Sequence, residues 1–560
     1  MTGYNESSEA SVIISSFCVN KTSEIILFTG NYSAGLSFCQ NASLQDNTEL
    51  CMLDVTTKTV FPGLIDTHVH IMSQGALTYK ANVAGANSFA ETIQRLQEYI
   101  DTFADRIERM DYWIDGRGWD QNYWNDFPEN ELPTRFDLDA AFGDKYKIYL
   151  TRIDGHAAWF NTAAMNAVPN FTDTNNDDIE GGEILYFDDV PGNATGILVD
   201  TAMNFIRKCI PGPSEEEEEV MLENVINEMN MHGLVGGHDA GAPPSDHELF
   251  KRFVTDYPDK FNIRLYSMAT SRLHPDNYTI YRYNDTNNRL DTSAVKFYLD
   301  GALGSWGAAL IEPYCDLNSS GLSMYNNVTR YYNDILFWWE KGYHIGTHAI
   351  GDFANQLVTQ AYSDMIDELN LEDHRLRIEH AQIVNMDDIQ TIGEKKILPI
   401  MQPTHATSDM VFVPSRLDCN RTEGTRTRIN GSYAWQSMLD AGVPALGFGS
   451  DFPAVGVVDP FLGLYAAVTR QNETGWPQGG WLPWEKVSKY QALKGYTSDA
   501  AFCAFKENVS GTIEAGKFAD FIIMDKDFFE LNEGTYKEIF EINVLQTYLG
   551  GRLVFDINNL

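Results

Sequence analysis

Six side chains in this sequence stand where an apolar run gives out: His68, His70, Lys296, His348, His380 and Asp451. Four imidazoles, a carboxylate and an amine are the nitrogen and oxygen donors that zinc and related divalent ions bind. His68 and His70 close the run Val60-Phe61-Pro62-Gly63-Leu64-Ile65-Asp66-Thr67-His68-Val69-His70. Residues two apart in a strand share a face, so the two rings point the same way. Read alone, the pair is equally well a chance, solvent-facing doublet. Lys296 lies in Val295-Lys296-Phe297-Tyr298-Leu299, where a bare ammonium is costly to bury. Burial lowers an amine's pKa and leaves it neutral and nucleophilic. Such an amine can take up CO2 as a carbamate, an anion able to bridge two metals; the competing reading is a salt bridge to Asp300. His348, His380 and Asp451 end Ile345-Gly346-Thr347-His348, Arg377-Ile378-Glu379-His380 and Leu446-Gly447-Phe448-Gly449-Ser450-Asp451. One such residue says little, whereas the set points to a site for divalent metal.

These side chains meet only if a scaffold brings their strands to one end. Seven strand candidates follow the one that carries His68: Leu234–Asp239, Asn262–Met268, Val295–Leu299, His344–His348, Leu376–His380, Leu398–Met401 and Ala445–Asp451. Helical stretches separate them. Eight strands in strand-helix alternation predict an α/β fold, a (β/α)8 TIM barrel with chemistry at the strands' C-terminal ends. Two further strand candidates near residues 113 and 148 exceed that count and fall in an insertion after the first barrel strand, about residues 72–232. Ser214 followed by Glu215 to Glu219 starts a helix with a capping-box pattern; its acid run reads as a solvated helix start. Residues 11–58 and the end of the chain both alternate short β-rich runs with turns. The two termini, 1–58 and 505–560, are therefore expected to form one small composite β-sandwich beside a barrel spanning 59–504.

Composition narrows the partners. The chain has 560 residues and a formal net charge of −39, which phosphate backbones repel, so nucleic acid is excluded as a partner. No run of eighteen apolar residues predicts a membrane span. Met1 to Cys18 lacks the basic start and longer apolar core of a signal peptide. Fourteen asparagines nevertheless begin Asn-x-Ser/Thr sequons: Asn5, Asn20, Asn31, Asn41, Asn170, Asn193, Asn277, Asn284, Asn318, Asn327, Asn420, Asn430, Asn472 and Asn508. Chance would give about one asparagine in eight. The excess predicts a glycoprotein of the secretory-pathway lumen or the exterior, with a cytoplasmic protein rich in Asn, Ser and Thr as the alternative. Seven cysteines match no zinc motif. A bridge among Cys18, Cys39 and Cys51 is expected in an oxidising compartment, and all seven are equally compatible with buried, reduced thiols.

The motifs in order resemble the amidohydrolase superfamily, and within it amidohydrolase family 3, the group of YtcJ-like proteins and N-substituted formamide deformylases. They run from Phe61-Pro62-Gly63-Leu64-Ile65-Asp66-Thr67-His68-Val69-His70 through Asp154-Gly155-His156, Lys296 with Asp300-Gly301-Ala302-Leu303-Gly304-Ser305, Thr347-His348-Ala349-Ile350-Gly351-Asp352, Arg377-Ile378-Glu379-His380-Ala381-Gln382 and Gly449-Ser450-Asp451-Phe452-Pro453 to Gly516-Lys517-Phe518-Ala519-Asp520. The resemblance implies one or two divalent metal ions, with Zn2+ foremost. It places the first on His68, His70 and Asp451 and the second on His348 and His380, with carboxylated Lys296 bridging them. It implies hydrolysis of an amide- or formamide-type C–N bond of a small molecule by a metal-bridging hydroxide, with Asp451 as general base and then acid and His156 polarising the carbonyl. Trp119, Asp120 and Asp300 are expected at the substrate pocket. A lactone or ester hydrolase on the same site and a non-catalytic secreted binding protein are the alternatives. Homo-oligomeric assembly is compatible with either.

Overall fold

In the computed structural model, the stretch that carries His68 is a strand buried along its whole length, Leu64–Val69 (β1). That burial is what both faces of a parallel barrel strand require. Seven more strands follow: Leu234–Ala242 (β2), Arg264–Thr270 (β3), Leu290–Tyr298 (β4), His344–Ala349 (β5), Arg377–His380 (β6), Leu398–Met401 (β7) and Gly447–Phe448 (β8). They pair in parallel in chain order, from β1 beside β2 to β7 beside β8. Asp451 N–H donates to His68 O and His70 N–H to Phe452 O, tying the last strand to the first. The eight-stranded parallel barrel read from the sequence is therefore the observed fold. The structure describes all residues except 1, 6–9, 14, 47–51, 56, 129, 130, 154, 156, 172–175, 177, 178, 180, 181, 188, 189, 191, 272–282, 286, 326, 420–426, 455 and 560.

Most strand boundaries shift by one to three residues from the sequence reading, and β4 and β8 shift furthest. β4 starts at Leu290, five residues before Val295, and β8 is only Gly447–Phe448. Beyond β8, Asp451 has φ 60°, in the left-handed region where no strand continues. Outside the barrel lie helices whose apolar stripes face it. Val328–Glu340, for example, buries Tyr331, Ile335 and Trp338, spaced four and three apart.

Val60-Phe61 just before β1 belongs to a different sheet. Thr59–Pro62 pairs antiparallel with Phe521–Met524, which pairs with Val544–Leu549 and then Arg552–Asp556. A hairpin of Ser16–Asn20 and Ile25–Gly30 reaches the same region, where Ile26 N–H donates to Lys517 O and Ala519 N–H to Glu24 O. Ile26, Val60, Ile513, Ala519, Phe521 and Ile523 make a shared core. Asp520 fastens that sheet to the barrel floor: its carbonyl accepts from Gly63 N–H, and its carboxylate binds Arg264 at the start of β3 through Nε at 2.6 Å and Nη2 at 3.0 Å.

Residues Ser73–Met221 form a separate compact unit. Its six-stranded sheet runs Gly182–Tyr186, Ala194–Asp200, Ala157–Phe160, Lys147–Arg152, Trp113–Trp119 and Ala81–Asn82. The strands near 113 and 148 are thus neighbours in a sheet of their own. The capping box at Ser214 forms, with Glu217 N–H donating to Ser214 Oγ and Ser214 N–H to Glu217 Oε2. Disulfides join Cys18 to Cys39 and Cys315 to Cys419; Cys209 and Cys503 are free thiols, and Cys51 lies outside the described residues. Among the described residues no helix is long and apolar enough to cross a membrane.

Candidate metal centre

A TIM barrel is ordinarily filled with branched aliphatic side chains. Here the layer beneath the C-terminal mouth is polar. His68 is fully buried on β1, and its Nδ1 lies 2.5 Å from Glu379 Oε2 on β6. Glu379 in turn receives Arg377 Nε at 2.8 Å, and Arg377 also donates to Thr67 O and to His238 Nδ1 at 2.9 Å. Burial disfavours the Glu379 carboxylate, but Arg377 and His68 outweigh it and hold the group well below the ordinary range. The carboxylate fixes the His68 proton on Nδ1 and leaves Nε2 as a lone-pair donor into the mouth. Gly346 makes room for this arrangement, since a Cβ there would stand 2.8 Å from Glu379 Oε1.

Asp451 closes the site. Its Oδ1 is 3.0 Å from His70 Nε2 and 3.7 Å from His68 Nε2, while Oδ2 is 3.7 Å from His405 Nε2. Burial would raise this carboxyl; the His70 contact and the neighbouring His68 and His380 keep it well below 3.8, so it is an anion. His380 ends β6 with φ 77°, and its Nδ1 lies 2.8 Å from Gln402 Oε1, which again leaves Nε2 free to bind. Two candidate ligands in the left-handed region, neither of them glycine, are the kind of backbone strain that collects at functional sites. Asp66, two residues before His68, is buried and takes Ser450 Oγ and the N–H groups of His68 and Ser450. Burial pushes its pKa up to about 7.

The ligand atoms of His68, His70 and Asp451 lie within 4.8 Å of one another, and so do those of His380, His405 and Asp451. Among the described residues, Nε2 of His348 and Nε2 of His405 are buried without a hydrogen-bond partner. Two His–His–carboxylate sets, one of them with the orphaned nitrogen of His405, fit divalent metal ions. The sequence-derived residues therefore divide. His68, His70, His380 and Asp451 come together. Lys296, 1% exposed, brings Nζ to 3.3 Å from His68 Nε2. His348 stands near His380, with ring centroids 4.5 Å apart, but its Nε2 is 3.3 Å from Asp300 Oδ1. Asp300 is buried and accepts from the N–H groups of Ala309, Ile350 and Gly351, so it pins loops below the mouth and is not open to substrate.

Trp119 is a correction as well. It is fully buried in the core of Ser73–Met221 beside Trp124 and Trp159, and its indole N–H is taken by Leu150 O, so it packs that unit and does not line a pocket. Asp120 caps a short helical turn through Asn122 N–H and pairs with Arg152. His156 and Asp154 lie outside the described residues. The sequence reading gave no role to Glu379, Arg377, Gln402 or His405. For His405 a signal existed: Leu398–Met401, like Asn262–Met268, ends without a polar residue, and His405 follows it by four residues.

A parallel eight-stranded barrel with histidines and an aspartate at its C-terminal mouth defines a metal-centre hydrolase scaffold. The chain belongs to the amidohydrolase family, whose model matches residues 52–555. It is similar to the YtcJ protein of Bacillus subtilis (strain 168), 28% identical over 508 residues, covering 89% of each chain. It is also 27% identical over 523 residues, 90% of each chain, to the N-substituted formamide deformylase of Arthrobacter pascens. Among solved structures, an uncharacterized metal-dependent hydrolase from Pyrococcus horikoshii OT3 superposes with a TM-score of 0.73 at 22% identity, covering 91% of this chain and 94% of that one. The protein is a hydrolase of this family with candidate His and Asp metal ligands.

Proposed function

We propose that the protein hydrolyses an amide- or formamide-type C–N bond of a small molecule. The observation that carries this reading is the convergence of His68, His70, His380 and Asp451 at the barrel mouth; the formamide deformylase relative supports the bond type. A bound divalent ion, Zn2+ in first place for these donors, would supply Lewis acidity and a water of lowered pKa. His68, His70 and Asp451 would hold it. Asp451, ionised and buried, accepts the proton released when water adds to the carbonyl and returns it to the departing amine nitrogen. Glu379 keeps the His68 proton on Nδ1 throughout, so His68 cannot act as the base. Lys296 is proposed as a carbamate, formed when the neutral amine adds to CO2 and loses a proton. An ammonium 3.3 Å from the donor nitrogen of His68 would repel a cation, and a carbamate reverses that sign.

The test is a screen of zinc-loaded protein against N-formyl, N-acyl, cyclic-amide and lactone substrates. Turnover of formyl or acyl amides, lost on chelation and restored by Zn2+, is expected. Hydrolysis confined to lactones, or turnover indifferent to chelation, would refute it.

We also propose that the protein is glycosylated in the secretory pathway. Every sequon asparagine whose side chain is described is exposed or half-buried, with Asn277 and Asn420 outside the described residues and only the backbone of Asn5 described. The Cys315–Cys419 bridge supports the same compartment. A mass shift on glycosidase treatment of protein from its native host is expected.

A further inference from the structure

We infer that Asn327 carries an N-linked glycan, and that the first sugars of this glycan lie in a groove beside the helix that Asn327 caps. This rests on the glycosylation reading above and names one sequon and the surface that receives its sugar. The groove has a volume of about 410 Å3, in the range of small-ligand sites. It lies between three helices of the barrel's outer layer: Val328–Glu340, Asp352–Leu369 and Met386–Glu394. Val328, Phe353 and Leu357 give it an apolar wall. Gln356, Gln360 and Ser363, spaced four and three apart, set two amides and a hydroxyl along one stripe of the middle helix. A pyranose ring has the same two-sidedness, with C–H groups across its face and hydroxyls around its rim. No Lys, Arg or His lines the groove. An anion would find no counter-charge there, on a chain whose net charge is −39. The neutral N-acetylhexosamines at the root of an N-linked glycan meet no such penalty.

The sequon Asn327-Val328-Thr329 starts at the edge of this groove, since Val328 is part of the apolar wall. No other sequon asparagine is next in sequence to a groove residue. Asn327 is exposed. Its Oδ1 accepts from Thr329 N–H at 2.8 Å and caps the helix, while its Nδ2 makes no hydrogen bond among the described residues. Sugar is joined at Nδ2, so the capping oxygen stays in use after modification. In that transfer Nδ2 gives up one proton and bonds to the anomeric carbon of a lipid-diphosphate-linked oligosaccharide. The lipid diphosphate leaves with the electron pair of the broken C–O bond.

The experiment measures how well the sugar is shielded. Full-length protein is made in a eukaryotic secretory host, and sugar on each sequon is read by glycopeptide mass spectrometry. Thr329→Ala removes the sequon and keeps the helix cap, and should lose one glycan. The folded protein is then treated with an endoglycosidase that cuts between the first two sugars. Release from Asn327 is expected to be about 10-fold slower in wild type than in Gln356→Trp, whose ring fills the groove, because only the undocked glycan is open to cleavage. Release from the other sequons should not differ between the two proteins. Should Gln356→Trp fail to fold, Ser363→Tyr carries the same expectation. Equal release from Asn327 in wild type and variant, or an Asn327 without sugar while other sequons carry it, overturns this inference and leaves the glycosylation reading standing. Absence of sugar from every sequon refutes both.

Discussion

The histidines on the two sides of Asp451 differ in what stands behind them. On the β1 side, His68 is backed by an ionised carboxylate that is itself held by Arg377. On the β6–β7 side, His380 is backed by the neutral amide of Gln402, and His405 Nε2 has no hydrogen-bond partner among the described residues. A hydrogen bond to a charged group is roughly twice as strong as one between neutral groups. The first side is therefore set before any ligand arrives. The second is left for the ligand to order. One side of the mouth should bind tightly and the other more loosely, and binding there should depend more on conditions.

Removing the shared residue should have the largest effect. Asp451→Ala deletes the base and the carboxylate common to both sets, and is expected to lower kcat/KM by about 10^3-fold or more and empty both sites; steady-state kinetics with metal analysis decides. Lys296→Ala should likewise abolish turnover, with partial return when short-chain carboxylic acids are added in place of the carbamate. Unchanged turnover would remove Lys296 from the centre. Next comes the backing itself. Glu379→Gln should weaken the tighter ion by about 10–100-fold. It should also lower stability by about 3–5 kcal/mol, because Arg377 stays buried without its counter-charge; calorimetric titration and denaturant unfolding read the two effects separately. Gln402→Ala acts through a neutral bond and should weaken only the looser ion, by about 10-fold. Equal losses in the two variants would erase the proposed asymmetry.

The smallest effect concerns pH. Burial and the Arg377 charge hold His238 neutral well below its ordinary 6.5, against the pull of Glu379. A lowered folded pKa means its contribution is present above 6.5 and lost as pH falls through the folded value. Acid should therefore force a proton onto a ring that receives a guanidinium hydrogen bond, and loosen the support of Glu379 and His68. His238→Gln should flatten the acid limb of stability below pH 6.5, measured as thermal midpoint against pH.

Much of this was legible in the sequence. An apolar run that ends in a polar residue is a local pattern, so β1 and β4 to β6 could be read with their terminal residues, and strand alternation fixed their order. The backing could not be read. His68 and Glu379 lie 311 residues apart, and only barrel closure reveals that they touch. His405 was missed because it sits in a helix turn after its strand, outside the rule that found the others. Trp119 was misplaced because an aromatic beside a motif is indistinguishable from a core residue until its neighbours are known. β8 looked longer than Gly447–Phe448 because the apolar run Ala445 to Phe448 and the polar end at Asp451 do not mark where pairing stops.

The tie between Asp520 and the barrel floor bears on how the protein is made. Gly63 N–H, one residue before β1, bonds a carbonyl that is translated 457 residues later. Arg264, half-buried at the foot of β3, gains its Asp520 carboxylate 256 residues later. Contacts so distant in sequence form late and slowly. The nascent chain carries β1, with His68 on it, without that tie until residue 520 has been made. That interval, with apolar edges exposed, is when chaperones would matter most.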